Sequence, residues 1–295
     1  MSRPSVPAAD SLIGVRHPVL SHGFVVLVDY MGNDAAVVQA ARVSYGAGTR
    51  TVRDDRGLIR YLLRHGHTTP FEMVELKFLV RLPIYVARQW IRHRTASVNE
   101  YSARYSIVPD EYELPAASEV HRQSARNRQG RGEPLDLAVG ESFRADLDRI
   151  SREAYQAYEK ALSQGVARET ARMLLPVSYY TQWYWKINLH NLFHFLRLRL
   201  DPHAQEEIRQ YAAVVATLAR KVAPTCYEAF EEFQVMGMRL SARELRAIRA
   251  LLEGKDPQAA CQVAGLSLVR EDGTPLRTGE GPEFLEKLSR IREVP

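Results

Sequence analysis

VELKFLVRLPIYVARQWIRHR, residues 74 to 94, decides the fold. Its first nine residues, VELKFLVRL, alternate as a strand should. Pro83 then opens a helical stretch, PIYVARQWIRHR (Pro83 to Arg94), because proline suits the first turn of a helix. The same mixture continues outward. GFVVLVDYMGND (Gly23 to Asp34) is an apolar, β-branched strand closed by a turn signal, and AAVVQAARVSY after it has helical spacing. RDDRGLIRYLLRHGH (Arg53 to His67) is a helix with Leu58, Ile59, Leu62 and Leu63 on one face and Gly66 as its end. In TPFE, Thr69 reads as N-cap, Pro70 as first helical residue and Glu72 as the reciprocal acid of a capping box, leaving backbone N–H groups free for an anion.

Downstream, the loop from Glu113 to Gly140 is rich in Arg, Gly, Ser, Gln and Pro without periodicity and reads as an inserted mobile loop. A helix follows from about Glu141 to Gln164, then the β-rich VSYYTQWYWKI and the helical NLHNLFHFLRLRL. Asp201 as N-cap and Pro202 as first residue open an amphipathic helix to about Val222, with Ile208, Tyr211, Val215, Leu218 and Val222 inward. Strands and helices mix without the regular alternation of a doubly wound sheet, so the expected class is α+β. Beyond Met238 the texture changes. A capping box (Ser241, Glu244), a helix opened by Asp256-Pro257, a hairpin turn at EDGTP and a last helix PEFLEKLSRI describe a small C-terminal helical and hairpin appendage. The expected division is a core of 1–238, with the 113–140 insert, and an appendage of 239–295.

With 295 residues, 45% hydrophobic and 25% charged, the chain can bury one large core. It has no apolar run of about 18 residues and no apolar signal segment near its start, so the expected location is the cytoplasm. Cys226 and Cys261 lack metal-ligand spacing, and their neighbours offer no activation of a thiolate; both are expected to be structural. The net charge is +5 with arginine dominant, which suits bidentate recognition of phosphate or carboxylate.

RHRTASVNEYSARY, Arg92 to Tyr105, gathers Arg92, His93, Arg94, Arg104, Ser97, Ser102, Asn99 and Glu100 directly after a helix expected to carry Gln89, Arg92 and His93 on one face. Charge alone leaves a phosphorylated ligand, a nucleic-acid backbone and a solvated basic turn all open. The segment resembles the RHRxxSxNExSxRY signature of the flavin-dependent thymidylate synthases at every specified position. The resemblance extends from about Gly23 to Met238 through the ARVSY, HGHxTPFE, PIYVARQW, ARxxLP and LRxDxHAQ segments.

That resemblance implies dUMP as substrate, 5,10-methylenetetrahydrofolate as one-carbon donor, FAD and NADPH as redox cofactors, and a homotetramer with shared active sites. It places dUMP on Gln89, Arg92, Glu100, Ser102, Arg104 and Arg172, with Arg199 facing the uracil and stabilising the ring ionised at N3. FAD contacts fall on Ser44, His67, Thr69, Glu72, Arg92, His93, Arg94, Glu100 and Asn188, and on His190 and His194, where some members carry Arg and Asn. The flavin route needs no enzyme nucleophile, and Ser102, with no evident base beside it, is expected to bond a phosphate instead. Two other classes remain to be weighed. His190 and His194, four apart, with Asp201 and His203, suggest a metal-dependent hydrolase, but the Glu of an HExxH site is missing and no metal is expected. A basic nucleic-acid-binding protein fits the pI of about 9.2, but interleaved acids and the lack of a recognised core motif disfavour it.

Overall fold

The computed structural model describes residues 5–43, 54–124 and 130–293, which fall into two compact units, one up to residue 232 and one from 233 onward. In the first, β1 (Arg16–Val19), β2 (Gly23–Met31), β3 (Glu75–Pro83) and β4 (Ser97–Glu100) join a later strand; β5 (His121–Gln123) and β6 (Arg131–Pro134) form a separate hairpin; β7 (Tyr180–Asn188) completes the main sheet. Its order is β1-β2-β3-β7-β4, and its neighbours are antiparallel. The α+β class is thus observed.

Alternation sets the buried face. Leu76, Phe78, Val80 and Leu82 of β3 are wholly buried, and the register Phe78↔Trp185 and Val80↔Trp183 brings the inward tryptophans of β7 beside them. The longer helices of this unit, of 7 to 27 residues, are α1 (Asp34–Val43), α2 (Asp55–Arg64), α3 (Ile84–Trp90), α4 (Leu137–Ser163), α5 (Leu189–Arg199), α6 (Glu206–Val222) and α7 (Pro224–Phe230). The stripe Ile208, Tyr211, Val215, Leu218 and Val222 of α6 is buried as its spacing predicts. Tyr211 donates to the Arg81 carbonyl at 2.8 Å, and its hydroxyl lies where a Cβ on Gly23 would sit, 1.9 Å away, so only glycine fits there. The Asp34 carboxylate, at the start of α1, accepts from the backbone N–H groups of Thr225 and Cys226, both at 2.9 Å, and so caps α7 from 191 positions away in sequence.

Several boundaries differ from the sequence reading. The helix after Pro83 stops at Trp90 rather than Arg94, because His93 N–H bonds the Trp90 carbonyl and the chain turns toward β4; Arg92 and His93 therefore sit in the turn. The helix expected from Asp201 starts at Glu206: the Asp201 carboxylate instead accepts from His203 N–H at 2.8 Å in a local turn. At TPFE the N-cap position is Thr68, in the αR region with no side-chain cap, so the Thr69–Glu72 capping box does not form. Among its described residues the 113–140 segment holds regular structure. It contains the β5–β6 hairpin and the start of α4, and Gly140 packs so closely on Ala117 that a Cβ would come within 2.2 Å of that carbonyl. Residues 125–129 lie outside the described residues.

Among its described residues the second unit has three helices, α8 (Ala242–Leu252), α9 (Pro257–Ala264) and α10 (Glu280–Arg292), around Ala247, Ala250, Ala260, Cys261, Ala264, Leu266 and Phe284. The Ser241–Glu244 capping box forms, and the same Glu244 carboxylate takes the Lys287 ammonium at 2.6 Å. Asp256 caps α9, accepting from Gln258 and Ala259 N–H at 2.9 Å.

Candidate functional site

Trp90 anchors the site. Its indole is fully buried, stacked on Phe195 at 4.7 Å and edge-on to Trp185 at 5.0 Å, so α3 ends in the core and the next residues emerge from a fixed point. His93 stays buried, while Arg92 and Arg94 on either side are exposed. At the C-terminal end of α5, Arg199 reaches back. Its Nε donates to His93 Nε2 at 3.0 Å and its Nη2 to the Gln89 carbonyl at 3.4 Å. Burial, then the Arg199 and His194 charges, push the His93 imidazole down to about 4. It is neutral at pH 7, and its Nε2 accepts the hydrogen bond from the guanidinium N–H. Burial also lowers the Arg199 pKa. Among the described residues no carboxylate pairs with Arg199. The Gln89 side-chain amide donates to Gln205 at the start of α6.

A second grouping lines a cavity of about 430 Å³ between α3, β4 and β7, where Glu100, Ser102 and Arg172 face Arg88, Thr181 and Trp183. Glu100 accepts from Thr181 Oγ1 at 2.7 Å. Arg172 uses its Nε on the Glu169 carbonyl, and Arg104 lies over the Tyr105 ring with its guanidinium carbon 5.6 Å from the ring centre. Neither has a carboxylate partner among the described residues. A third grouping lines a cavity of about 550 Å³, where His67, Thr69 and Tyr61 rim an apolar wall of Leu58, Leu62, Pro70 and Met73. The His67 and Tyr61 rings lie nearly parallel at 6.1 Å.

The expected site residues therefore divide. Gln89, His93 and Arg199 cluster, with the exposed His194 edge-on to His93 at 5.9 Å. Glu100, Ser102 and Arg172 share one cavity, and His67 and Thr69 share another. Arg92, Arg94 and Arg104 are exposed beside these groupings but line neither cavity, and Glu72 lines neither. Asn188 is the N-cap of α5, accepting from Asn191 N–H at 2.9 Å; His190 lies half-buried in that first turn. Ser44 falls outside the described residues. Among the described residues no group of three or more His, Cys, Asp or Glu side chains could hold a metal ion, so His190, His194, Asp201 and His203 do not assemble as a metal-dependent hydrolase needs.

Arg88, Thr181, Trp183 and Gln205 were not singled out by sequence. Arg88 directly precedes Gln89 and Gln205 ends the LRxDxHAQ segment, which were the available signals; the pairing Glu100↔Trp183 is a tertiary fact. Cys226 is fully buried, and burial together with Asp34 raises its thiol pKa well above the ordinary value; burial raises that of Cys261. Neither is poised as a thiolate nucleophile.

Comparison with known proteins identifies the family. A family model described as "Thymidylate synthase complementing protein" matches residues 26–225. A flavin-dependent thymidylate synthase from Ruegeria pomeroyi is 55% identical over 253 residues, 84% of either chain. One from Rickettsia conorii is 50% identical over 266 residues, 86% of this chain and 90% of that one. Among solved structures, a UMP/dUMP methylase, PolB from Streptomyces cacaoi bound with 5-Br dUMP, is similar with a TM-score of 0.66 and 36% identity, covering 74% of this chain and 99% of that one.

Proposed function

We propose that this chain, which belongs to the flavin-dependent thymidylate synthase family, methylates dUMP to dTMP with 5,10-methylenetetrahydrofolate, FAD and NADPH. The observation that carries the reading is Arg199: a half-buried guanidinium, held by a neutral His93 and the Gln89 carbonyl, with no carboxylate partner among the described residues. Such a cation is preorganised for a ligand that develops negative charge.

Each residue then has a physical task. Arg199 spends two N–H groups on His93 and Gln89, and its remaining donors stabilise charge on the uracil ring. Gln89 binds the base from the same cluster. Arg92, Arg104 and Arg172 hold the phosphate, and Ser102 and Glu100 orient the nucleotide. The cavity rimmed by His67, Thr69 and Tyr61 over an apolar wall suits a planar aromatic ring with polar edges, and the exposed Arg94 and the Thr69 turn suit a pyrophosphate. His93, Glu72, Asn188, His190 and His194 complete the flavin contacts in this reading. When bound, FAD reduced by NADPH supplies the hydride that completes the methyl group, and folate supplies its carbon.

The assembly is a homotetramer with active sites shared between copies. Support comes from the division within one chain, where the cavity lined by the phosphate-directed Ser102 and Arg172 is not lined by the uracil-directed Gln89 and Arg199. No helix among the described residues is long and apolar enough to cross a membrane, and the cytoplasm is the proposed location. The chain is further read as a core of 1–238 and an appendage of 239–295 whose role lies in stability or assembly.

The test is tritium release from 5-labelled dUMP by the FAD-loaded protein with NADPH and methylenetetrahydrofolate. Release that needs all three partners supports the proposal. A protein that cannot be reconstituted with FAD, or that releases no tritium when loaded, overturns it. Because the similar PolB structure is of a UMP/dUMP methylase, 5-labelled UMP belongs in the same assay; preferential use of UMP would replace dUMP as the substrate.

A further inference from the structure

Gln205 stands at the N-cap position of α6, with φ −57° and ψ 138°, yet its side chain makes no capping hydrogen bond. Its backbone carbonyl does accept the first intrahelical bond, from Arg209 N–H at 3.1 Å. N-cap positions favour Ser, Thr, Asp and Asn, whose short side chains reach the free N–H groups of the first turn. Glutamine here forgoes that contact. Its side-chain carbonyl instead accepts from the Gln89 amide on α3, more than a hundred positions away in sequence. Two residues on, Glu207 pairs with Arg131 of β6, and just before, Asp201 closes a turn on His203 N–H. The start of α6 is therefore fixed on both sides of Gln205.

We propose that Gln205 is a positioning residue for the uracil-directed end of the site: it orients the Gln89 amide, and Gln89 in turn carries Arg199. The inference rests on the assignment of Gln89 and Arg199 to dUMP above. With one amide N–H committed to Gln205, the Gln89 side chain has one sense, and its carbonyl edge and second N–H are left for the ligand. The Gln89 backbone carbonyl is one of the two groups holding Arg199. Releasing the Gln89 side chain thus loosens the group that binds the base, beside the backbone carbonyl that supports the cation acting on it.

Three substitutions in the full-length, FAD-loaded protein separate positioning from helix capping. Gln205→Leu removes the acceptor at similar length. Gln205→Asp provides a better cap for α6 but is too short to reach Gln89. Gln205→Glu keeps both reach and acceptor. Tritium release at saturating dUMP should fall about tenfold in Gln205→Leu and Gln205→Asp, the scale of one lost hydrogen bond in a site. Gln205→Glu should recover most of that turnover, while Gln205→Asp melts at or above the wild-type temperature. Where Gln205→Leu does not fold, Gln205→Asp and Gln205→Glu carry the comparison. Wild-type turnover in Gln205→Asp, or a Gln205→Glu variant as impaired as Gln205→Asp, overturns the proposal while leaving the synthase reading intact. A loaded wild-type protein without tritium release takes both down.

Discussion

Along the seam between α2 and α7, Arg56 reaches Glu228 and Arg60 reaches Glu228 and Glu232, whereas around the α3–β4 turn Arg88, Arg92, Arg94, Arg104 and Arg172 meet no carboxylate among the described residues. Both faces are solvent-exposed arginine clusters of one unit, and in sequence they look alike. The first is neutralised within the chain; exposed pairs of that kind contribute little to stability and are screened by salt. The second keeps its like charges close together without relief. In the proposed function an anionic ligand supplies that relief, so the difference in pairing, rather than the net charge of +5, is what points to this face as the binding site.

The comparison can be broken most sharply at Arg199. Arg199→Ala should lower turnover at saturating dUMP by about a hundredfold, the scale of removing a preorganised donor from developing charge, while NADPH still reduces the bound flavin. If only the dUMP requirement rises, Arg199 binds and does not activate. Next in size, Arg172→Ala and Arg104→Ala should each weaken dUMP binding by about 1.5 to 3 kcal/mol, read as a loss of apparent affinity with saturated turnover retained. Unchanged affinity in both would remove the phosphate assignment.

A smaller effect is expected with pH. Burial lowers the folded-state pKa of His93 from 6.5 to about 4, so the unfolded chain takes up this proton first. Its contribution to stability is complete above pH 6.5 and is lost as pH falls through the window toward 4. His93→Gln, which accepts from Arg199 without titrating, should flatten the melting temperature against pH in that window; an unaltered slope would show that His93 is not held neutral. Smaller still, Arg60→Ala should lower the melting temperature slightly, by an amount that shrinks in high salt, and leave turnover alone. Finally, Cys226→Ala with Cys261→Ala should leave dTMP formation at the wild-type rate. A folded double variant without activity would return thiolate catalysis to consideration.

Much of the architecture was legible because burial leaves a period in the sequence. The β3 alternation and the α6 stripe follow from one buried face each, and Asp256 and Ser241 cap where their side chains predict. Some failures arose where a local signal had a competing use. Asp201 can cap a helix or close a turn on His203, and the turn won. The β5–β6 hairpin lies largely exposed, so it leaves no apolar alternation to read. At the site, the signature pointed to His93 and Arg199 through resemblance, but their direct bond joins residues more than a hundred apart and has no sequence signal. Gln205 ends the LRxDxHAQ segment, but its bond to Gln89, 116 positions away, has no sequence signal either.

The tryptophans of the core also make the protein its own optical probe. All three in the chain, Trp90, Trp183 and Trp185, are buried together, with Trp90 5.9 Å from Trp183 and 5.0 Å from Trp185. Beyond Tyr227 the chain has neither tryptophan nor tyrosine. Ultraviolet emission therefore arises from the first unit alone, and Trp183, on the wall of the 430 Å³ cavity, ties that emission to occupancy of the site. A melt followed by fluorescence is blind to α8, α9 and α10, whereas far-ultraviolet dichroism sees every helix. Coincident curves would mean that the two units lose structure together; a second dichroic step without change in emission would isolate the melting of the helical appendage.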